Sequence, residues 1–413
     1  MEATIEEAGA AYGSYVGHLA GIAGATDPER VLALDGQAAS ELRRLVPLST
    51  RRRLGAFFTP HVLADELAEP LQDETRSLNV VDSFCGAGDL LLAAMRAAHR
   101  SRTRGRDALA FSGVDLVAEF ARAALLRLEL QAAELGIRPS IRTRAGDGLA
   151  AAELVRATHV LLNPPFGRIT APDPCTWASG SVNGAAVYFA STVAELADET
   201  KVHAVLPDVL RSGSRYRKWR TEIDQLLDVS TVTPLGQFDR WTDVNVFILR
   251  GTRTVDRRDA AGSRWGPVPA DTSVGDFFEV RVGPVVHNRD PLKGRWQPYL
   301  TSKGFPTWGT IDVVGKNRRF EGRLFEAPFV AIPRTSRPSD ADRARGALVT
   351  SAKPVAVDNH LLVARPLDGT VGRCADLLDV LQMPSTSDWL NNVIRCRHLT
   401  VGALASVPWR VDE

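Results

Sequence analysis

The sequence predicts an α/β protein: a parallel, doubly wound sheet followed by a smaller β-rich domain. Three observations carry that prediction. Short apolar runs alternate with amphipathic stretches from residue 79 to residue 250, the pattern of repeated strand–helix–strand units. Gly-rich or acidic turns close the first three of those runs. The texture then changes near residue 277 to short β-like runs broken by Pro and Gly.

The elements follow in order. Residues 1–50 read as helices, with Thr26-Asp27-Pro28-Glu29 as an N-cap ahead of RVLALDGQAASELRRL. Asn79–Phe84 is a first strand ending at Cys85-Gly86-Ala87-Gly88, and DLLLAAMRAAHR a first crossover helix. Phe111–Leu116 is a second strand, and Ala118 to about Leu135 its helix. Ile141–Asp147 and His159–Asn163 are the third and fourth strands, and Val202–Pro207 the fifth. Helices are expected over Ala185–Leu196 and Tyr216–Leu227. Val229–Leu235 and Val244–Arg250 lie too close together for a crossover helix, so they are expected to form a terminal antiparallel pair. The expected division is a helical segment over 1–50, a catalytic domain over 51–252, a linker over 253–276 and a second domain over 277–413. In that second domain the β-like runs are FFEVRVGPVVHNRD, APFVAIPRTSRP and PVAVDNHLLVARP, with helices near Cys374–Leu381 and Ser387–Ile394.

Composition narrows the class. At 413 residues and 44% hydrophobic content the chain has room for two or three cored domains. No apolar run reaches membrane-spanning length and no secretory leader is present, so a cytoplasmic protein without a membrane partner is expected. The four cysteines, Cys85, Cys175, Cys374 and Cys396, are scattered without metal-ligand spacing, so reduced thiols and no metal are expected. Net charge is +1, and global charge gives nucleic acid no support.

Four constellations carry chemistry. Asp82-Ser83-Phe84-Cys85-Gly86-Ala87-Gly88 stands between a strand and a helix, where glycines admit a ligand close to backbone amides. Asp115 ends the next strand, 27 residues beyond Gly88, where an acid accepts ribose hydroxyls. Gly146-Asp147-Gly148 follows the third strand and offers a carboxylate to an adenine amino group. Together these describe an adenosine-type ligand across the switch point of the sheet. Asn163-Pro164-Pro165-Phe166 follows the fourth strand. A conjugated amino nitrogen is a poor nucleophile because its lone pair is delocalised. The Asn163 amide oxygen and the Pro164 carbonyl would accept both of its N–H groups and turn the lone pair toward an incoming methyl. Pro164 and Pro165 would stiffen the loop, and Phe166 would offer a stacking face.

With these motifs in view, the sequence resembles the gamma-class N6-adenine DNA methyltransferases of bacterial restriction–modification systems. The resemblance runs over roughly residues 51–252. Gly55-Ala56-Phe57-Phe58-Thr59-Pro60 resembles the family's N-terminal motif, which implies that Phe58, Thr59 and Pro60 touch the cofactor. Asp82, Cys85, Gly86 and Gly88 match the cofactor loop, and Asp115, Asp147 and Gly148 the acidic turns. Asn163, Pro164, Pro165 and Phe166 match the catalytic tetrapeptide, with Asn163 also near the cofactor. Val205-Leu206-Pro207 resembles a later motif, and Phe238 the aromatic on the far side of an extruded base, with Trp241 close by.

The resemblance implies a Rossmann-like seven-stranded S-adenosylmethionine-dependent methyltransferase domain with its last strand antiparallel, and a C-terminal target recognition domain. It implies N6 methylation of a flipped-out adenine in double-stranded DNA. The sequence shows no nuclease motif, so any restriction endonuclease is expected on a separate subunit, and the chain, carrying both catalysis and target reading, is expected to act as a monomer. In the second domain, Arg318, Arg319, Arg334 and Arg337 are the expected DNA contacts, within a basic stretch interleaved with Phe320, Phe325 and Phe329. Two other readings share these motifs: methylation of a protein glutamine or an RNA amino group, and a cofactor-binding, non-catalytic subunit of a defence complex.

Overall fold

A computed structural model describes residues 2–22, 27–72, 77–100, 108–150, 152–254, 265–266, 270–395 and 397–409. The chain divides into two units, Met1–Trp265 and Gly266–Glu413. The boundary falls inside the stretch read as a linker. Residues 255–264 and 267–269 of that stretch lie outside the described residues, as do Thr26 and Cys396.

The first unit opens with helices α1 (Glu2–Gly21), α2 (Asp27–Leu34), α3 (Gln37–Leu45), α4 (Leu48–Leu54) and α5 (His61–Ala68). The sheet region follows as β1 (Leu78–Asp82), α6 (Asp89–Arg100), β2 (Leu109–Asp115), α7 (Ala118–Glu134), β3 (Ser140–Ala145) and β4 (His159–Leu162). Next come β5 (Arg168–Thr170), β6 (Ser181–Asn183), α8 (Gly184–Ala194), β7 (Lys201–Pro207), α9 (Asp208–Ser212), α10 (Arg217–Leu226), β8 (Leu227–Asp239) and β9 (Thr242–Arg253).

Seven strands form one sheet in the order β3-β2-β1-β4-β7-β9-β8. β1 runs parallel to both β2 and β4, pairing Val80 with Phe111 on one side and with His159 on the other. β9 is antiparallel to both neighbours, with Leu206 opposite Phe247 and Thr233 opposite Ile248. The expected antiparallel pair is therefore present, and β9 inserts between β7 and β8. This is the seven-stranded, Rossmann-like methyltransferase topology. The order reverses between β1 and β4, and the turn residues that follow β1, β2 and β4 gather at that reversal.

Burial explains the layers. All four residues of β4 are buried, because helices cover both faces. One face packs β1 and β2 against α5 and α6 through Val80, Phe111, Leu67 and Leu91. The other packs β4 and β7 against α8 and α10 through Leu162, Leu206, Phe189 and Trp219. A third cluster ties the N-terminal helices to this body: Tyr12 and Leu42 pack with Phe58 and Phe120. Arg127 of α7 is fully buried there. It donates to the Ala33 carbonyl at 2.8 Å, to the Ala87 carbonyl at 2.6 Å and to the Asp89 carboxylate at 2.9 Å.

Two features escaped the sequence. The run through Asp35-Gly36 is two helices, because Gly36 takes a left-handed φ of 72° and ends the first one. A hairpin, β5–β6, directly follows the Asn163–Phe166 loop.

The second unit carries α11 (Val274–Phe277), β10 (Phe278–Val282), β11 (Arg295–Leu300), β12 (Thr310–Ile311), β13 (Asn317–Phe320), β14 (Phe329–Pro333), β15 (Ala347–Val349), β16 (Ala356–Val357) and β17 (Leu361–Pro366). Helices α12 (Val371–Gln382), α13 (Pro384–Val393) and α14 (Val401–Ala405) complete it. Its sheets run β10-β17-β14-β15-β12 and β13-β11-β16. β14 and β17 alternate their side chains: Val330, Ile332, Leu362 and Ala364 face the helices, and Phe329, Ala331, Leu361 and Val363 face a second core. Among the described residues no helix is long and apolar enough to cross a membrane. Cys85, Cys175 and Cys374 are free thiols.

Candidate active site

The largest group of expected site residues meets in one cavity, lined among others by Phe58, Thr59, Asp82, Cys85, Gly86, Asp115, Asn163 and Pro165. Asp82, Asp115 and Asn163 stand at or just beyond strand ends. Asp115 ends β2, and its carboxylate accepts the Gly86 and Val117 amides, both at 2.9 Å. The acid therefore holds the glycine turn in shape while standing in the cavity wall. Burial pushes its carboxyl up to about 6.

Asp82, 1% exposed, accepts the Phe84 amide at 3.0 Å. Burial pushes it up to about 8, against the pull of that amide and with help from the nearby Asp115 charge. Asp82 is thus mostly protonated at neutral pH. The Cys85 thiol is pushed well above its ordinary value by burial and the same two acids, so it stays a thiol.

Gly86 has a φ of 51°, and a Cβ there would come within 2.7 Å of the Phe58 ring. Only glycine leaves this part of the cavity open. Phe58 is held edge-on by Phe120 at 5.1 Å and by Tyr12 at 5.9 Å. The side of the cavity formed by Leu54, Val117 and Phe120 was not singled out in the sequence. Phe120 had a usable signal, since it opens the helix just after Asp115.

Asn163 ends β4. Its amide nitrogen donates to the Phe57 carbonyl at 3.2 Å and to the Thr59 hydroxyl at 2.9 Å. The Phe57 carbonyl is only an acceptor, so it fixes which end of the amide is nitrogen. The Asn163 oxygen has no hydrogen-bond partner among the described residues and is left to accept from a ligand. Gly55 supports the same loop: its φ is 68°, and a Cβ there would meet the Pro165 side chain at 2.4 Å. Pro164 is buried and Phe166 half-buried.

Several expected residues do other work. Gly88 (φ 87°) lets α7 approach, since a Cβ would meet Ala124 at 3.0 Å. Pro60 stands at the N-cap of α5, where its carbonyl accepts the Ala64 amide at 2.9 Å. Asp147 is exposed and accepts the Leu149 amide at 3.0 Å. Gly148 abuts Ser83, where a Cβ would collide with the Ser83 carbonyl. These four border the cavity residues without lining the cavity itself.

Two expectations need correction. Phe238 was expected across an extruded base from Phe166, but the two rings touch each other edge-on at 5.7 Å and 76°, and Phe238 is 4% exposed. No base-thick gap separates them: Phe238 backs Phe166 from the core. In the second unit, Arg318 is 6% exposed, donates to the Asp290 carbonyl at 2.7 Å and lies over Tyr299. Arg334 spends its guanidinium on the Asn359 and Leu399 carbonyls at 3.1 and 3.4 Å. Both are internal ties. Arg319 and Arg337 are exposed, with Arg319 also donating to the Gly294 carbonyl at 3.0 Å. Among the described residues no group of three or more His, Cys, Asp or Glu side chains is arranged to hold a metal.

Residues 46–221 match the family model for N-6 DNA Methylase. No curated protein matches the chain. Among solved structures, the type IIL restriction-modification enzyme MmeI, determined in complex with DNA, shares the fold at TM-score 0.52 and 12% identity, over 89% of this chain and 70% of that one. A class I S-adenosylmethionine-dependent methyltransferase from Listeria monocytogenes, itself described as putative, aligns at TM-score 0.42 and 15% identity, over 55% of this chain and 71% of that one. A modification subunit of a type I restriction enzyme from Vibrio vulnificus YJ016, also described as putative, aligns at TM-score 0.39 and 17% identity; 54% of this chain matches, spanning 52% of that subunit's length. The matched residues 46–221 contain Asp82, Asp115 and the Asn163–Phe166 loop.

Proposed function

We propose that the chain is a site-specific DNA methyltransferase that transfers a methyl group from S-adenosylmethionine to N6 of a flipped-out adenine in double-stranded DNA. Its biological setting in this reading is a restriction–modification or phage-defence system. The observation that carries the proposal is the Asn163 amide. It is clamped through its nitrogen by Phe57 and Thr59, and its oxygen is left as a fixed acceptor beside the cavity.

The cavity suits the cofactor on its own chemistry. Gly86 leaves space that any side chain would fill, and Asp115 stands in the wall with backbone amides already in place. Asp115 would accept ribose hydroxyls, Phe58 and Phe120 would pack the ligand's apolar parts, and Asp82 would keep the turn closed. The bound cofactor would supply a methyl group already activated on a sulfonium.

The rest of the work belongs to the chain. Asn163 Oδ1 would accept one N6–H, and the Pro164 carbonyl the other, holding the nitrogen lone pair toward the cavity. Phe166 would stack on the extruded base, a contact worth roughly 1–3 kcal/mol. No protein nucleophile is needed, and Cys85 is kept protonated by burial. Rate enhancement would come from placement and preorganised acceptors.

The test is transfer of a radiolabelled methyl group from S-adenosylmethionine to genomic DNA from a host lacking adenine methylation. Label should appear in N6-methyladenine with wild type and be lost with Asp115→Ala. Equal label with that variant would contradict the assigned cavity. Label in RNA or protein, and none in DNA, would contradict the acceptor.

A further inference from the structure

The mouth of the site holds a second cavity that the catalytic reading leaves unused. It is lined by Arg43, Arg51, Phe57, Asp239, Trp241 and Thr242, among others. It shares the Ala56-Phe57-Phe58 wall with the first cavity. The two therefore adjoin along the segment whose Phe57 carbonyl holds Asn163.

Its contents are unusual for a plain surface. Trp241, at the tip between β8 and β9, is 63% exposed. Its amide donates to Asp239 at 2.8 Å, which fixes the turn. Two guanidiniums lie over the ring, Arg240 at 4.6 Å and Arg43 at 5.8 Å. Arg51 is a third cation, set 6.0 Å from the Phe57 ring. Its pKa is lowered by burial and then by the like charge of Arg43. Against these three cations the wall offers one carboxylate, Asp239. Like charges gathered around an exposed aromatic face suit an anion that also carries a flat ring.

Position selects among such ligands. Asp239 follows Phe238, whose ring touches Phe166. α4, which carries Arg51, leads into Gly55, which rests on Pro165. A strand delivering a base to Asn163 would pass this cavity with its next nucleotide. We propose that the cavity binds the nucleotide flanking the extruded adenine on the same strand, its base stacked on Trp241 and its phosphate held by Arg43, Arg51 and Arg240. This rests on the DNA reading above.

The test uses an oligo-dT of about 15 nucleotides and a duplex of random sequence, both with the full chain. Wild type should bind the oligonucleotide with quenching of tryptophan fluorescence. Trp241→Ala should lose that quenching and bind roughly 5- to 150-fold more weakly, the equivalent of 1–3 kcal/mol per stacked base. Trp241→Phe should keep most of the affinity. Arg43→Ala should flatten the dependence of log affinity on log salt by about 0.7. Calorimetric binding of S-adenosylmethionine, unchanged in all three variants, establishes that they are folded. If Trp241→Ala binds the oligonucleotide as wild type does, the second site is refuted and the DNA reading stands. If wild type binds the cofactor but neither DNA, both are refuted.

Discussion

Asp82 offers a sharp test of how the cofactor loop is built. Its carboxyl is 1% exposed and burial raises it from 3.8 to about 8. The folded chain therefore keeps a proton, between about pH 4 and pH 8, that the unfolded chain has released. A raised pKa contributes stability that is present in full below the unfolded value and is lost as pH rises through the folded one. At 1.36 kcal/mol per unit, the loss across this window is on the order of 5 kcal/mol. Asp82→Asn keeps the acceptor for the Phe84 amide but cannot ionise. Relative to wild type, the variant should gain about 1.4 kcal/mol per pH unit between about pH 5 and pH 8. Asp115 also titrates upward, to about 6, but it does so in both proteins and cancels from the comparison. Urea denaturation of the cofactor-free protein across that range gives the slopes. Parallel slopes for the two proteins would refute a neutral, buried Asp82.

Two further predictions follow from the bonds that hold the site. Thr59→Val removes one of the two acceptors that orient the Asn163 amide. The loss of one hydrogen bond, roughly 0.5–1.5 kcal/mol, should lower kcat about 2- to 12-fold, with Thr59→Ser restoring it; an unchanged kcat in Thr59→Val would show that the clamp does not matter. Arg127→Met strips the Asp89 carboxylate and the Ala33 and Ala87 carbonyls of their buried donor. It should cost about 3–5 kcal/mol in denaturation and weaken cofactor binding, and a variant as stable as wild type would contradict the role given to this tie.

The sheet was largely legible because strand ends carry their own punctuation. Asp82 to Gly88, Asp115 and Asn163 to Phe166 each follow an apolar run, and the fold brings all three to one reversal of strand order. Local pattern has no access to what distant segments do. Phe58, Phe120 and Tyr12 form one wall from three separate helices or loops, so their meeting is a tertiary fact. Arg318 reads as a free cation beside Arg319, because alternation along a two-residue step decides which side faces the protein. β5 and β6 are three residues each, too short for a period to register. Phe238 showed its aromatic character but not its direction: it is buried in the core, with the half-buried Phe166 packed against it.

The account stands or falls on the acceptor. Wild type and Asn163→Ala would be expressed in a bacterial host without adenine methylation, and modified bases mapped in the genomic DNA by single-molecule sequencing. The account predicts N6-methyladenine at one short motif with wild type and none with Asn163→Ala. An unmodified genome from a wild-type protein that binds S-adenosylmethionine, or methylation that persists in Asn163→Ala, would contradict it.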